Sequence, residues 1–381
     1  MTAVGFSSIF PFLPLYVKSL GSSTGMSVEL MSGLVFSSQA FTMMIASPIW
    51  GILADRYGRK LMVERALFGG AVLLLLMAFV RTAEELVIVR AIQGLITGSV
   101  AASSALLASQ APRQRMGYAM GVLQVGLGAG IAVGPLIGGA IADTYGYSSS
   151  FYVPAVLLMI AGGLVLFGVQ EQFVRPKEET SARKSLLSQW RVLLLTPGIL
   201  MTLSMRFMTS LGRMTLLPLV PFFVEELMHT TEGLNTFTGL VIGITSATTT
   251  ISSIFLGKLG DRIGHRLVLI VSMLLAAGLY AVQSLITAGW QLLVFQAFVG
   301  VAVGGIIPMI SALLANFIKF GEVGAVYGLD NSINAAGRAV APLIGALVAN
   351  RYGLRATFIT TGLIFLIASF LAMWRLPKTE G

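Results

Sequence analysis

The chain contains no cysteine. That removes disulfides, thiolate metal ligands and thiol nucleophiles together. Histidine is almost missing too. Only His229 and His265 occur, so an imidazole metal centre or a Ser-His-Asp set has little to draw on, and no H-E-x-x-H is present. An enzyme is not expected, nor a metal or cofactor. Charge is equally scarce: 11% of the residues are Asp, Glu, Lys or Arg, against roughly 25% in a soluble domain. A surface wetted all round cannot be covered by so few.

Hydrophobic residues make up 56% of the 381. They gather in apolar runs of about 20 residues, the length that crosses roughly 30 Å of hydrocarbon. The expected fold class is therefore an all-α integral membrane protein. Breakers and charges delimit twelve helical spans: 2–20, 30–54, 61–80, 86–108, 118–141, 151–170, 198–224, 237–257, 267–286, 291–314, 325–349 and 356–374. Sixteen Lys and Arg fall in the 2–3, 4–5, 6–7, 8–9 and 10–11 connections and the C-terminal tail. Four (Lys18, Arg81, Arg351 and Arg355) fall on the other side. The positive-inside rule then makes the even-to-odd connections and the C-terminus cytoplasmic, and the N-terminus with them. The net charge of +9 is accounted for by topology, without nucleic acid. A multi-pass protein of the cell inner membrane follows.

The longest break, 171–197, divides an N-terminal bundle (1–170) from a C-terminal one (198–381). Inside it Leu186, Leu187, Trp190, Leu193 and Leu194 share one helical face flanked by Arg183, Lys184 and Arg191. This reads as a short amphipathic helix on the cytoplasmic interface, or as an early start to the seventh span.

The two bundles repeat one another. "PFLPLYVKSL" at 11 returns as "PLVPFFVEEL" at 218, and "GILADRYGRK" at 51 as "GKLGDRIGHR" at 257. Gly121, Gly130, Pro135 and Gly138 return as Gly328, Gly337, Pro342 and Gly345, always at an offset of 206 or 207. Six spans per half is an even number, so both halves insert the same way up. Two parallel six-helix bundles around a central cavity are expected.

Ionisable residues inside spans are costly and mark function. Asp330 is the only carboxylate well inside a span, which makes it either the proton carrier or a helix-end acid. Arg206 and Arg213 are seven residues apart and share a face of span 7 to within about 20°. With Arg338 they could hold an anionic or neutral amphiphile, or pair with carbonyls and the interface. Gln39, Gln124, Asn331 and Asn334 are amides that line the cavity or tie helices together.

Three motifs resemble the major facilitator superfamily, nearest its drug/proton antiporters of the multidrug and tetracycline type. "GILADRYGRK" resembles the cytoplasmic 2–3 motif, "RAIQG" at 90 the fourth-helix motif, and Gly121, Gly130, Gly134, Pro135, Gly138 and Gly139 the full fifth-helix antiporter motif. The resemblance implies a cytoplasmic latch at Asp55 with Gly51, Arg56, Gly58 and Arg59, echoed at Asp261 and Arg262. It implies proton coupling through Arg90, with Asp55 a second acid, and export rather than uptake. It departs from the family in having no acid in the first span. That span is also short beside the seventh, so an upstream extension of roughly ten or more residues, with a Lys or Arg, is expected from the repeat.

The expected function is a secondary active exporter of small amphipathic compounds or drugs by proton antiport through alternating access. The expected partners are a small-molecule substrate, protons and the lipid bilayer, and the expected state is a monomer. The alternatives are an uptake porter for a sugar or carboxylate, and a transport-dead sensor or lipid-handling protein on the same fold.

Overall fold

A computed structural model describes residues 1–110, 116–171, 197–315 and 323–375. Arg113, Arg115, Lys319 and the interfacial helix expected around Trp190 lie outside those residues, as does the side chain of Asp55. Every regular element among the described residues is helical. In chain order they are α1 (Thr2–Ser7), α2 (Leu13–Leu20), α3 (Val28–Tyr57), α4 (Arg59–Met77), α5 (Ala83–Ile96), α6 (Ser99–Gln110), α7 (Met116–Tyr145) and α8 (Tyr152–Gly168). There follow α9 (Pro197–Leu216), α10 (Val220–Met228), α11 (Leu234–Ile263), α12 (His265–Gln283), α13 (Gly289–Gly304), α14 (Ile306–Ala315), α15 (Val323–Tyr352) and α16 (Leu354–Arg375). A 3-10 turn, Ser149–Phe151, leads into α8.

Each stretch read as a span is helical. By length and apolarity, nine helices among the described residues can cross a membrane: Val28–Gly51, Ala119–Tyr145, Ser149–Gly168, Gly198–Met228, Leu234–Ile263, His265–Gln283, Gly289–Leu314, Leu329–Tyr352 and Leu354–Arg375. The other three expected spans differ for visible reasons. The first is broken between α1 and α2. The third, α4, carries Arg59, Lys60, Glu64 and Arg65 in its opening turns. The fourth breaks between α5 and α6 at Gly98, whose φ of 129° no ordinary side chain adopts comfortably.

The sequence offset returns in the helix bounds. α3, α7, α11 and α15 each have 30 residues, and α4 and α12 each have 19. Their ends are cut at equivalent glycines. Gly58 (φ 103°) and Gly264 (φ 96°) separate α3 from α4 and α11 from α12. A 30-residue helix is about 45 Å long, so each of the four outruns the hydrocarbon layer.

The chain forms two compact units, one of Met1–Glu179 with Val220–Gly243, the other of Thr180–Leu219 with Ile244–Gly381. In the first, α1 packs on α7 and α8, α3 on α5, α4 on α8, and α10 on α2. In the second, α9 packs on α14, α15 and α16, and α12 on α13 and α16. Glycine sets the closeness in both. A Cβ added at Gly130 would meet Ala3, and one at Gly138 would overlap the Ser8 carbonyl. At the positions 207 further on, Gly337 meets Ser210 and Gly345 the Thr215 carbonyl. Each partner also moves by 207, so the same helix pair is built twice.

Loop and helix ends are tied by carboxylates. The Glu171 carboxylate accepts from the backbone N–H of Arg59 (2.9 Å) and of Lys60 (2.8 Å), capping α4. Glu84 accepts from Ser22 Oγ at 2.8 Å and from the N–H groups of Ser23 and Thr24, fixing the α2–α3 turn. Its hydrogen bond from Ser22 leads the causes that lower its carboxyl to about 2.

Candidate functional site

The most buried ion pair among the described residues joins α9 to α15. Arg206 Nε donates to Asp330 Oδ1 at 2.8 Å, with the two side chains 11% and 7% exposed. Arg206 also donates through Nη2 to Ser311 Oγ of α14 at 3.2 Å. The reach depends on Gly337, since any Cβ there would press on Ser210 and the Phe207 carbonyl and hold the helices apart. Ser210 Oγ fastens the same seam, donating to the Asn334 carbonyl at 2.9 Å. An apolar cluster of Ile199, Leu203, Leu314, Val326 and Leu329 brackets the pair. In such surroundings a charge without its partner is expensive.

Asp330 is the eighth residue of α15 and is paired with Arg206 rather than alone. Arg206, expected with Arg213 either as a substrate ligand or as a guanidinium paired with carbonyls or the interface, donates to Asp330 and Ser311. No spacing rule could foresee this, because the partners stand 124 and 105 residues away. Arg213 and Arg338 are half-buried and have no hydrogen-bond or ion-pair partner among the described residues. Arg213 lies within the electrostatic reach of Arg206, Tyr280 and Arg338. The second unit therefore brings three guanidiniums within electrostatic reach of one another, of which only Arg206 is paired with a carboxylate among the described residues.

The expected amides divide. Asn334 serves the α9–α15 seam through its backbone carbonyl. Gln124 and Asn331 are exposed on their helices, and Gln39 is half-buried. The Gln39 backbone carbonyl packs against Gly94, where a Cβ would overlap it, and accepts from Thr42 Oγ1 at 3.2 Å.

In the first unit Arg90 is 1% exposed. It donates to Gln93 Oε1 at 2.7 Å and lies 5.6 Å from the Phe36 ring centre. Its counterpart Gln296 has no charge. It sits in an amide chain instead, accepting from Thr245 Oγ1 at 3.0 Å and donating to Gln283 Oε1 at 3.2 Å. Around the 2–3 turn, Gly51 has open space beside it, Gly58 makes the turn, and Arg59 donates to the Ala105 carbonyl at 3.1 Å. Arg56 stays exposed over Tyr57. In the second unit Asp261 meets His265 Nε2 at 3.1 Å, and Arg262 is exposed. One contact had no signal in the motifs: the Arg65 guanidinium stacks on Trp50 at 3.4 Å.

The fifth-helix glycines work on two faces. Gly130, Gly134 and Gly138 receive α1 and Ser8, and Ser7 Oγ donates to the Gly130 carbonyl at 3.1 Å. Gly139 faces the Asn235 carbonyl at the start of α11, and the Pro135 carbonyl lies against Gly239. Gly121 and Gly126 have nothing within 4 Å of an added Cβ.

Known proteins share this arrangement along its whole length. The chain is 35% identical over 385 residues to the multidrug resistance protein MdtG of Enterobacter lignolyticus, covering 100% of this chain and 90% of the relative. It is 34% identical to MdtG of Serratia proteamaculans, covering 99% and 92%. It is 35% identical to MdtG of Dickeya zeae, covering 100% and 93%. The crystal structure of the human organic anion transporter MFSD10 superposes with a TM-score of 0.68 at 20% identity, covering 97% of this chain and 96% of that one, a likeness of fold. The Major Facilitator Superfamily profile matches residues 1–234 and 202–381. A glycine-packed helical repeat, relatives matched over nine-tenths of their length and this family profile agree: the chain belongs to the Major Facilitator Superfamily.

Proposed function

We propose that the chain is a secondary exporter of small amphipathic compounds, a multidrug efflux protein driven by inward proton flow. Twelve spans form two parallel six-helix bundles, 1–170 and 198–381, in the inner membrane with both termini cytoplasmic, and one chain is the working unit. The relatives' name, multidrug resistance protein, supports the export of drugs. The observation that carries the coupling is the buried Arg206–Asp330 pair. In this reading Asp330 carries the proton. Protonation removes one charge of the pair and leaves a guanidinium in apolar surroundings. The α9–α15–α14 seam then repacks, and loss of the proton on the cytoplasmic side re-forms the pair. Arg90, held by Gln93, tunes the same step from the first unit, and Asp55 latches the cytoplasmic mouth.

Arg213 and Arg338 are the substrate-facing cations in this reading. A guanidinium without a protein partner is well shaped to hold a carboxylate or phosphonate through two parallel hydrogen bonds. Organic anions or neutral amphiphiles are then preferred to lipophilic cations. A susceptibility panel in a pump-deleted host tests export, and everted vesicles with an imposed pH gradient test direction and coupling. Arg213→Ala is expected to lower anion export by about tenfold, with competition by a phosphonate or bile-acid-like anion lost in parallel. Strong export of an ethidium-type cation that Arg213→Ala leaves untouched, with no anion transport, sinks the substrate assignment. Uptake into cells with no efflux sinks the exporter reading.

A further inference from the structure

Away from the arginine–aspartate site, a second polar cluster stands where α7 ends. The Asp143 carboxylate is spent on the first turn of α11. Oδ1 accepts from the Asn235 N–H at 3.2 Å and from Asn235 Nδ2 at 2.7 Å. Oδ2 accepts from the Thr236 N–H at 2.7 Å and from Thr236 Oγ1 at 2.6 Å. First-turn N–H groups have no partner within their own helix, and the dipole there is positive, so a carboxylate suits the place twice over. Alongside this clasp the backbones of α7 and α11 touch: Gly139 meets the Asn235 carbonyl, Gly239 the Pro135 carbonyl, and Gly243 the Ala132 carbonyl.

A second clasp stands near it. Lys18 Nζ, in the last turn of α2, binds both carboxylate oxygens of Glu225 in α10, at 2.8 and 2.9 Å. The side chains are 51% and 29% exposed, so the pair alone is weak. Tyr147 links the two clasps. Its ring lies 6.4 Å from Phe12 and 6.0 Å from Tyr16. Its hydroxyl, pushed up by burial, feels Asn235, Asp143, Glu225 and Lys18.

Asp143, Tyr147, Glu225, Asn235 and Thr236 lie in connections read as outer, and Lys18 at the outer end of the first span. Each clasp ties a segment of the first sequence half to the Val220–Gly243 stretch of the second, which belongs to the first compact unit. The geometry assigns Asp143, supported by Lys18–Glu225, as the outer latch of the transport cycle. It is a positioning residue that holds the start of α11 on the end of α7 while the outer mouth is shut. The chemistry suits a reversible contact. Asn235 is buried, but Asp143, Thr236 and Glu225 are only half-buried and Lys18 is exposed, so water can replace most of these bonds at low net cost when the mouth opens. The assignment rests on the exporter reading for its meaning.

Distances between spin labels test it. The chain has no cysteine, so cysteines placed at Ser23 and Thr231, both exposed in outer connections, are the only labelling sites. Asp143→Asn is expected to raise the long-distance, outward-open population about tenfold relative to the parent. Asp143→Glu is expected to hold closer to the parent. Lys18→Glu alone opens the mouth to a smaller extent, and Lys18→Glu with Glu225→Lys restores the parent distribution, a rescue that general loosening would not give. If Asp143→Asn does not insert, Asn235→Ala with Thr236→Val removes the two side-chain donors, keeps the carboxylate and carries the same direction of shift. An inserted, monodisperse Asp143→Asn whose Ser23–Thr231 distribution matches the parent overturns the latch. The distances are read without substrate, so a silent drug panel would sink the exporter reading and leave the latch to stand or fall on its own.

Discussion

Asp330→Asn is expected to lower pH-gradient-driven export in everted vesicles by about 100-fold, equivalent to ~2.7 kcal/mol in the transport barrier. Substrate binding should survive. The argument starts from the Arg206–Asp330 pair at 2.8 Å, within an apolar bracket of Leu203, Leu314 and Leu329. Asparagine keeps the shape and can still accept from Arg206 Nε, but it cannot take and release a proton. It also leaves the guanidinium without a counter-charge, a loss of roughly 3–5 kcal/mol for a buried pair. Poor insertion is therefore a second expected effect, and it must be separated from lost coupling. Arg206→Gln with Asp330→Asn removes both charges. It should recover much of the stability and none of the coupled export. Full gradient-driven export in Asp330→Asn, with the parent's pH dependence, would place the proton elsewhere.

Gly138→Val is expected to be the most damaging substitution in the fifth helix, costing on the order of 3 kcal/mol and most of the transport. Any Cβ at this position overlaps the Ser8 carbonyl, which is backbone and cannot swing aside as a side-chain tip can. In lipid, helices associate through this kind of close contact, because lipid tails are as apolar as leucine. Gly126→Ala, three turns earlier on the same helix, meets nothing within 4 Å. It should be neutral or slightly stabilising, by up to ~1 kcal/mol, since alanine is the better helix former. Melting temperatures in detergent, alongside export, test the contrast. Equal melting of the two variants would refute the assignment of the glycine stripe to packing on α1 and Ser8.

The helices were readable because lipid leaves a backbone few choices. A polar backbone group in hydrocarbon must be satisfied within its own segment, so apolar length announces a helix directly. The repeat added a check, since glycines at 58 and 264 cut their helices alike. Side-chain partnerships were less readable. Arg206 and Arg213 share a face, yet among the described residues only Arg206 meets a carboxylate, because Asp330 is the one acid on α15; the helices also close at Gly345 and Thr215, where no acid stands. Asp143 lies in "DTYGYSSS", which reads as a simple break between spans. Its meaning depends on the first turn of α11, 92 residues on. Lys18 and Glu225 stand inside the very stretches that reveal the repeat, but likeness between stretches does not say that they touch.

That last contact bears on ancestry. Lys18 and Glu225 are equivalent positions of the repeat, 207 residues apart, and they are also each other's partners. Had the gene arisen by doubling one six-helix unit, its first product would have carried the same residue at both places. Identical residues cannot pair as opposite charges, and two lysines or two glutamates would repel. At least one copy had to change before the contact could attract. The clasp is thus a trait that no symmetric ancestor could possess, and it required the two halves to become unlike.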